Sequence, residues 1–417
     1  MKNNHTPEIR FAGFSGEWEQ LKLGEVVEIK DSARISNALW VSRGVPYLRS
    51  SDLANDEIEG ELFISDETYQ SYKDKTGAPE KDDVLFTSGG KIGVTYHKID
   101  DNPVYVQGGS ILYAKTSTSS KLSGMYLKAF FSSPMMTKYI EEASTGLTIK
   151  HFTLKPANAA PIFISSLKEQ NAIGEFFKQL DDNIALHQQE LTTLKQTKQG
   201  FLQKMFPKEG ESVPDVRFPG FIGDWEQCKL DSMVDRLKSY SLSRDVETND
   251  YTGYKYIHYG DIHKKVADII DESSNLPNIK AGNYELLEKG DLVLADASED
   301  YQGIATPAVI TIDMPYKLVS GLHTIALRPK QVDSLFLYYL ISSPIFREYG
   351  YTVGTGMKVF GISVTNLLKF EGIFPSLEEQ TKIGSFFKQL DNTIALHQRE
   401  LDTLKKTKKA FLQKMFV

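Results

Sequence analysis

A chain of 417 residues with 41% apolar and 11% aromatic side chains holds enough material for more than one buried core, and its 25% of charged residues excludes a disordered polymer. A single cysteine, Cys228, excludes an intrachain disulfide and a cysteine-based zinc cage. The polar start at Met1–Arg10 carries no signal-peptide core, and the longest apolar run, Leu335–Ile341, is far short of a membrane span, so a cytoplasmic protein with no membrane contact is expected.

The net charge of -7 argues against a protein that grips nucleic acid unaided. Only residues 375–417 are basic, with 8 Lys and Arg against 5 Asp and Glu. Phosphate contacts must therefore come from local patches or from a partner.

Taken from the amino terminus, the chain is one unit written twice. Pro7-Glu8-Ile9-Arg10-Phe11-Ala12-Gly13-Phe14, followed by Glu17-Trp18-Glu19-Gln20, recurs as Pro214-Asp215-Val216-Arg217-Phe218-Pro219-Gly220-Phe221 and Asp224-Trp225-Glu226-Gln227. Between the shared segments lie two unlike inserts, residues 20–165 and 227–374, which share only islands. These are Tyr47-Leu48 with Asp52-Leu53 against Tyr256-Ile257 with Asp261-Ile262, Lys81-x-Asp83 against Lys289-x-Asp291, Ser132-Ser133-Pro134 against Ser342-Ser343-Pro344, and Thr145-Gly146 against Thr355-Gly356.

Short β-like runs at Val45–Leu48, Val84–Thr87, Val104–Val106 and Ile111–Tyr113 alternate with glycine turns, and helical pieces follow at Tyr126–Ser132 and Met135–Ala143. The second insert echoes those helices at Leu335–Ser342 and Ile345–Tyr349. Each insert reads as mixed α and β, with a strand order that local pattern does not supply.

Equivalent loops in the inserts carry opposite chemistry. Ser88, Gly89, Gly90 and Lys91 stand in the first, and Ser298, Glu299, Tyr301 and Gln302 in the second. Such groups suit base-edge reading, where Lys answers guanine, Gln answers adenine and Glu accepts from cytosine. Arg49, Ser50 and Ser51, with His258 and Tyr259 in the second copy, precede the shared aspartates and are the next candidates for nucleic-acid contact. Lys150, His151 and Lys358 follow the Thr-Gly turns at a place that suits phosphate. The competing account of each is structural: a glycine hairpin, an aspartate capping a turn, or solvated loop charge.

Residues 166–206 and 375–417 read as long helices, joined through a linker at 207–213. Leu167–Phe206 aligns on Leu377–Phe416 without a gap, with 29 identities in 40 positions. Ile173, Phe177, Leu180, Ile184, His187, Leu191, Leu194, Lys198 and Phe201 step by fours and threes, as do Ile383, Phe387, Leu390, Ile394, His397, Leu401, Leu404, Lys408 and Phe411. Ser166-x-x-Glu169 and Ser376-x-x-Glu379 read as capping boxes, and Pro207 with Gly210 ends the first helix. Each helix spans about 57 Å.

An apolar stripe of that length needs a partner, and the nearest self-complementary surface is its own copy. The short linker favours antiparallel pairing about a pseudo-two-fold. The polar seam residues either set the register or lie at the edge with their heads in water. The expected architecture is α+β: two mixed α and β domains at 1–165 and 214–374, separated by an antiparallel two-helix coiled coil.

No His-Glu-x-x-His, Gly-x-Ser-x-Gly, Walker A or Gly-x-Gly-x-x-Gly occurs, so no catalytic residue and no metal site is expected. The acidic pairs Asp82-Asp83 and Asp296 with Glu299 and Asp300 offer ligands of the kind a cation takes, but in a chain with 55 carboxylates they read as solvated charge.

The duplicated Pro-x-x-Arg-Phe-x-Gly-Phe starts, the islands and Leu-x-Glu-Gln-x-x-Ile-Gly-x-Phe-Phe-x-x-Leu-Asp, at Leu167–Asp181 and Leu377–Asp391, resemble the specificity subunit of type I restriction-modification enzymes over essentially the whole chain. The resemblance implies a non-catalytic chain whose inserts are target recognition domains, each reading half of a bipartite site in double-stranded DNA. It further implies that the helices dock two modification subunits, which bind S-adenosylmethionine and methylate adenine, and that up to two restriction subunits using ATP and Mg join them. The alternative is a coiled-coil scaffold carrying two ligand-binding domains that do not recognise DNA.

Overall fold

The computed structural model describes residues 5–54, 58–146, 150–356 and 360–417. The chain forms two compact units, residues 1–188 with 399–417, and residues 189–398. Each unit therefore combines a whole insert with parts of both long helices. None of the helices, among the described residues, is long and apolar enough to cross a membrane.

The first unit is built on an antiparallel sheet in the order Ile29–Asp31, Ile111–Ala114, Val84–Thr87, Thr95–His97. Its central strands are apolar at nearly every position because both faces are covered. Val84, Phe86, Leu112 and Ala114 pack into one core with Leu127 and Phe130, while Leu85, Ile111 and Tyr113 turn to another with Leu48 and Val106. A second sheet runs Trp40–Val41, Phe63–Ile64, Val45–Leu48, Tyr105–Val106, with the last pair parallel. The insert is closed where Glu19–Lys22 pairs with Pro161–Ile164.

The second unit repeats this order despite its unlike sequence. Val234–Leu237, Thr324–Pro329, Leu292–Ala295 and Pro307–Ile310 form the first sheet, to which Ile269–Ile270 adds a parallel edge. Glu247–Thr248, Asn278–Ile279, Tyr254–Ile257 and Lys317–Ser320 form the second, and Glu226–Lys229 closes on Glu371–Phe374. The expected helical pieces appear as Gly124–Phe131, Pro134–Ala143, Ser334–Ser342 and Pro344–Val353.

The long helices are Leu167–Lys204 and Leu377–Lys414. Their starts depart from the expected capping box. The Ser166 hydroxyl accepts from the Glu169 amide at 3.4 Å, as a cap should, but the Glu169 carboxylate does not return to the cap. It takes two N–H groups of Arg10, whose remaining donors go to the carbonyls of Ser15 and Gly16. Arg217 binds Glu379 and the Gly223 carbonyl in the same way. The shared Pro-x-x-Arg and Leu-x-Glu-Gln motifs are thus two halves of one buried ion pair.

The adjoining Gln170 accepts from the Ser123 amide at 3.0 Å, and Gln380 accepts from that of Asp333 at 2.9 Å, which ties each long helix to the helix Gly124–Phe131 or Ser334–Ser342. Close approach there requires glycine. A Cβ on Gly174 would lie 2.5 Å from Met125 Cβ, and one on Gly384 would lie 2.8 Å from Leu335 Cβ.

Within each unit the two helices pair antiparallel. In the first, Phe176 meets Phe411 and Phe177 meets Phe416 while Asp181 pairs with Lys408 and His187 lies 3.7 Å from Glu400. In the second, Phe201 meets Phe386, Lys198 pairs with Asp391, and His397 lies 3.4 Å from Glu190. Ile173, Phe177, Leu191, Ile383, Phe387 and Leu401 are buried, and the other seam positions are half-buried. The seam lysines therefore make cross-helix ion pairs, and each seam histidine approaches a glutamate of the other helix, contacts that match only one register.

Candidate nucleic-acid interface

In the first unit, the strand Val84–Thr87 runs into a loop that closes when the Thr87 amide donates to the Val94 carbonyl at 2.9 Å. The Thr87 hydroxyl accepts from the Val94 amide at 3.0 Å and donates to the Lys91 carbonyl, so this buried Thr fixes the turn. The loop lies against two other candidate segments. A Cβ on Gly89 would sit 3.1 Å from His151 Nδ1, and one on Gly90, whose φ is +71°, would sit 3.4 Å from Ser50 Oγ. Tertiary structure thus brings Ser50, Gly89, Gly90 and His151 together.

Ser88 is buried, and its hydroxyl donates to the Gly109 carbonyl at 3.2 Å. Lys91 and Lys150 are exposed. Lys150 and Gly90 line a cleft of about 540 Å³ whose apolar wall is Ile92, Phe131 and Ile140.

Arg49 has a different setting. Its Nη2 lies 2.8 Å from both buried Asp52 and exposed Glu61, and these carboxylates push its pKa up. Asp52 also accepts from the Arg49 amide at 2.7 Å, which caps the short helix Ser50–Ala54, and Ser51 is exposed beside it. Asp261 takes the same place in the second unit, with the His258 amide at 3.0 Å and Arg244 at 2.8 Å.

His258 is buried, and its Nδ1 accepts from the Gly260 amide at 3.1 Å. Burial, then the charge of Arg244, holds its pKa below the ordinary 6.5, although Asp261 and Glu247 pull it up and His323 adds to the lowering. The folded protein therefore keeps this imidazole neutral while the unfolded chain protonates it below about pH 6.5. Its stabilising contribution is fully present above that value and is lost as the pH falls. The melting temperature should consequently drop between about pH 7 and about pH 5, and His258→Asn, which retains an acceptor for the cap, should flatten that slope. Parallel pH profiles for the two proteins would refute the assignment.

The second loop closes where the Ala295 amide donates to the Thr306 carbonyl at 2.9 Å, and it is longer than the first. Ser298 is buried and its hydroxyl accepts from the Asp300 amide, whereas Glu299 is exposed. The Tyr301 ring lies tilted against Phe360 with centroids 3.9 Å apart. Tyr259 packs among His258, His263 and His323, and His263 Nε2 donates to the Ala297 carbonyl at 2.8 Å. Lys358 lies outside the described residues, as does the side chain of Gln302.

Two residues of this surface were not among the sequence candidates. Asp296 and His323 are joined at 3.2 Å, and burial pushes the Asp296 carboxyl pKa up. Asp296 is therefore half-buried and paired, not the solvated charge expected. Asp83 departs from expectation as well: it is buried and accepts from the Glu80 amide and the Ser117 hydroxyl, just as Asp291 accepts from the Glu288 amide and pairs with Arg328.

The backbone frames of the two surfaces coincide. The Ser88 amide donates to Ser110 and the Phe152 amide to Ser88, while the Asp296 amide donates to His323 and the Ile362 amide to Asp296. Asp296 and His323 thus occupy the places of Ser88 and Ser110. Local sequence offers no sign of the pair, because its members are 27 residues apart. The one mark is conformational, the left-handed φ of +54° at His323.

One frame used twice with different polar groups defines a duplicated protein whose two units present unlike surfaces on a common scaffold. The family model described as type I restriction modification DNA specificity domain matches residues 15–196 and 222–406, and the chain belongs to that family. It is 24% identical over 303 residues to the type I restriction enzyme MjaVIII specificity subunit of Methanocaldococcus jannaschii, covering 70% of this chain and 69% of that one. The S subunit of a type I restriction-modification system from M. genitalium has a similar fold, with a TM-score of 0.62, 15% identity and 99% of each chain covered. A chain from a structural study of complex assembly in a type I system matches at a TM-score of 0.50 and 17% identity, over 95% of this chain and 96% of that one.

Proposed function

We propose that this chain is the sequence-reading, non-catalytic subunit of a type I restriction-modification complex, and that each unit reads one half of a bipartite, asymmetric target in double-stranded DNA. The observation that carries this reading is the shared frame with unlike groups, Ser88 and Ser110 in one unit and Asp296 and His323 in the other. A common frame is what docking on a common duplex requires, and exchange of the groups on it is what a change of base requires.

The helices dock two copies of one modification subunit and set the gap between half-sites. In support, exposed positions on the long helices are still identical between copies, among them Gln179 and Gln389, Leu186 and Leu396, and Thr193 and Thr403. Leu186 and Leu396 are 53% and 54% exposed, an apolar exposure that a partner would relieve. S-adenosylmethionine chemistry, and the ATP and Mg used by restriction subunits, belong to those partners. The same partners supply the phosphate contacts that a chain of net charge -7 lacks.

The test is to map methylated adenines in DNA from cells that express this chain with a modification subunit, before and after exchange of residues 20–165 for another insert. One half-site should change and the other stay. Simultaneous change of both, or no recurrent methylated site, would refute the proposal.

A further inference from the structure

The duplication makes each unit a template for the other, and at one place they differ by a missing ring. In the second unit Tyr339 lies against the long-helix pair. Its ring is 5.0 Å from that of Phe387, its hydroxyl donates to Asp391 at 2.8 Å, and the Lys198 ammonium stands 5.4 Å over the ring while pairing with the same Asp391.

The first unit holds the counterparts of all three partners, namely Phe177, Asp181 and Lys408, and the Asp181–Lys408 ion pair is intact. The equivalent of Tyr339 is Ala129. The correspondence is structural as well as sequential, since Gly174 abuts Met125 and Tyr126 as Gly384 abuts Leu335 and Phe336.

Where the phenol ring would lie, the first unit has a cavity of about 210 Å³ lined by Ala129, Phe177, Asp181, Lys408, Met125 and His97. The His97 side chain is 9% exposed, and its Nε2 makes no hydrogen bond, with Asp82 3.5 Å away. The cavity thus offers an aromatic floor, a carboxylate acceptor, a cation above the ring plane and a second polar edge.

We infer that this cavity is a binding site for a small phenol. The ring stacks on Phe177 under the Lys408 ammonium, and the hydroxyl donates to Asp181 as the Tyr339 hydroxyl does to Asp391. The site does not depend on DNA recognition, so it stands or falls separately from the proposed function.

The probe is p-cresol, the tyrosine side chain as a free molecule, titrated calorimetrically into the full-length chain. One saturable site per chain is expected, with toluene binding at least about ten-fold weaker because it has no hydroxyl to donate. Ala129→Tyr should abolish binding by filling the cavity, and Asp181→Asn should weaken p-cresol without weakening toluene. The Asp181 variant leaves the cavity wall in place and carries the test if the larger side chain prevents folding. Absence of saturable binding up to the solubility of p-cresol, equal affinity for toluene, or full binding by both variants would overturn the inference.

Discussion

With Arg10 replaced by Met, the first unit should lose about 3 to 5 kcal/mol of stability, because the change leaves a carboxylate buried with no opposite charge. The Glu169 side chain is 1% exposed and that of Arg10 is 14% exposed, so water cannot substitute for the missing guanidinium. The first turn of a helix offers some compensation through its dipole, worth less than about 2 kcal/mol. Arg217→Met should do the same to the second unit through Glu379. By contrast, breaking the exposed Lys208–Asp215 pair should leave stability nearly unchanged, because water screens both charges. The chain is suited to the measurement: Trp18 is buried in the first unit and Trp225 in the second, so urea unfolding followed by tryptophan fluorescence in a Trp225→Phe background reports the first unit. A loss as small as that of the surface pair would contradict the picture of Arg10 as the obligatory partner of Glu169.

Substitution of the Asp296–His323 pair should relax one half-site only. A side chain matched to a base edge is worth about 1 to 3 kcal/mol of discrimination, so Asp296→Ser with His323→Ser, which copies the first unit, should reduce preference at one or two base pairs by about ten-fold or more. The readout is competition between duplexes carrying single substitutions in each proposed half-site, using the chain assembled with a modification subunit. Loss of preference in both halves would make the pair a structural prop for the whole chain. Unchanged preference would remove it from the reading surface.

The elements most legible in the sequence were those set by local rules. The seam of the long helices follows from spacing alone, and Pro207 and Gly210 stand just beyond the observed end at Lys204. Buried strands such as Val84–Thr87 were recognisable as short apolar runs between turns. The proposed reading surfaces were only half legible. Ser50, Gly89, Gly90 and His151 were marked by composition and do converge, but Arg49 is held between two carboxylates and Ser88 is spent on a backbone carbonyl. A charged or hydroxyl side chain reads the same in a sequence whether it is free or already paired.

The capping boxes show the same limit. Ser166 and Glu169 have the right spacing, and the serine caps, yet the carboxylate prefers a guanidinium 159 residues away, since a charged pair in a dry setting outweighs a neutral amide donor.

From the order of its residues alone, this protein was determined to be a duplicated chain with one helical frame and two unlike inserts, because periodicity and self-similarity are properties of neighbouring residues. Strand order, the Arg10–Glu169 and Arg217–Glu379 pairs, the register ions Asp181 and Asp391, and the placing of His323 beside Asp296 were decided only by the tertiary structure. Each depends on which distant segments share a dry space, and there a charge must find its complement from whatever the fold brings within reach.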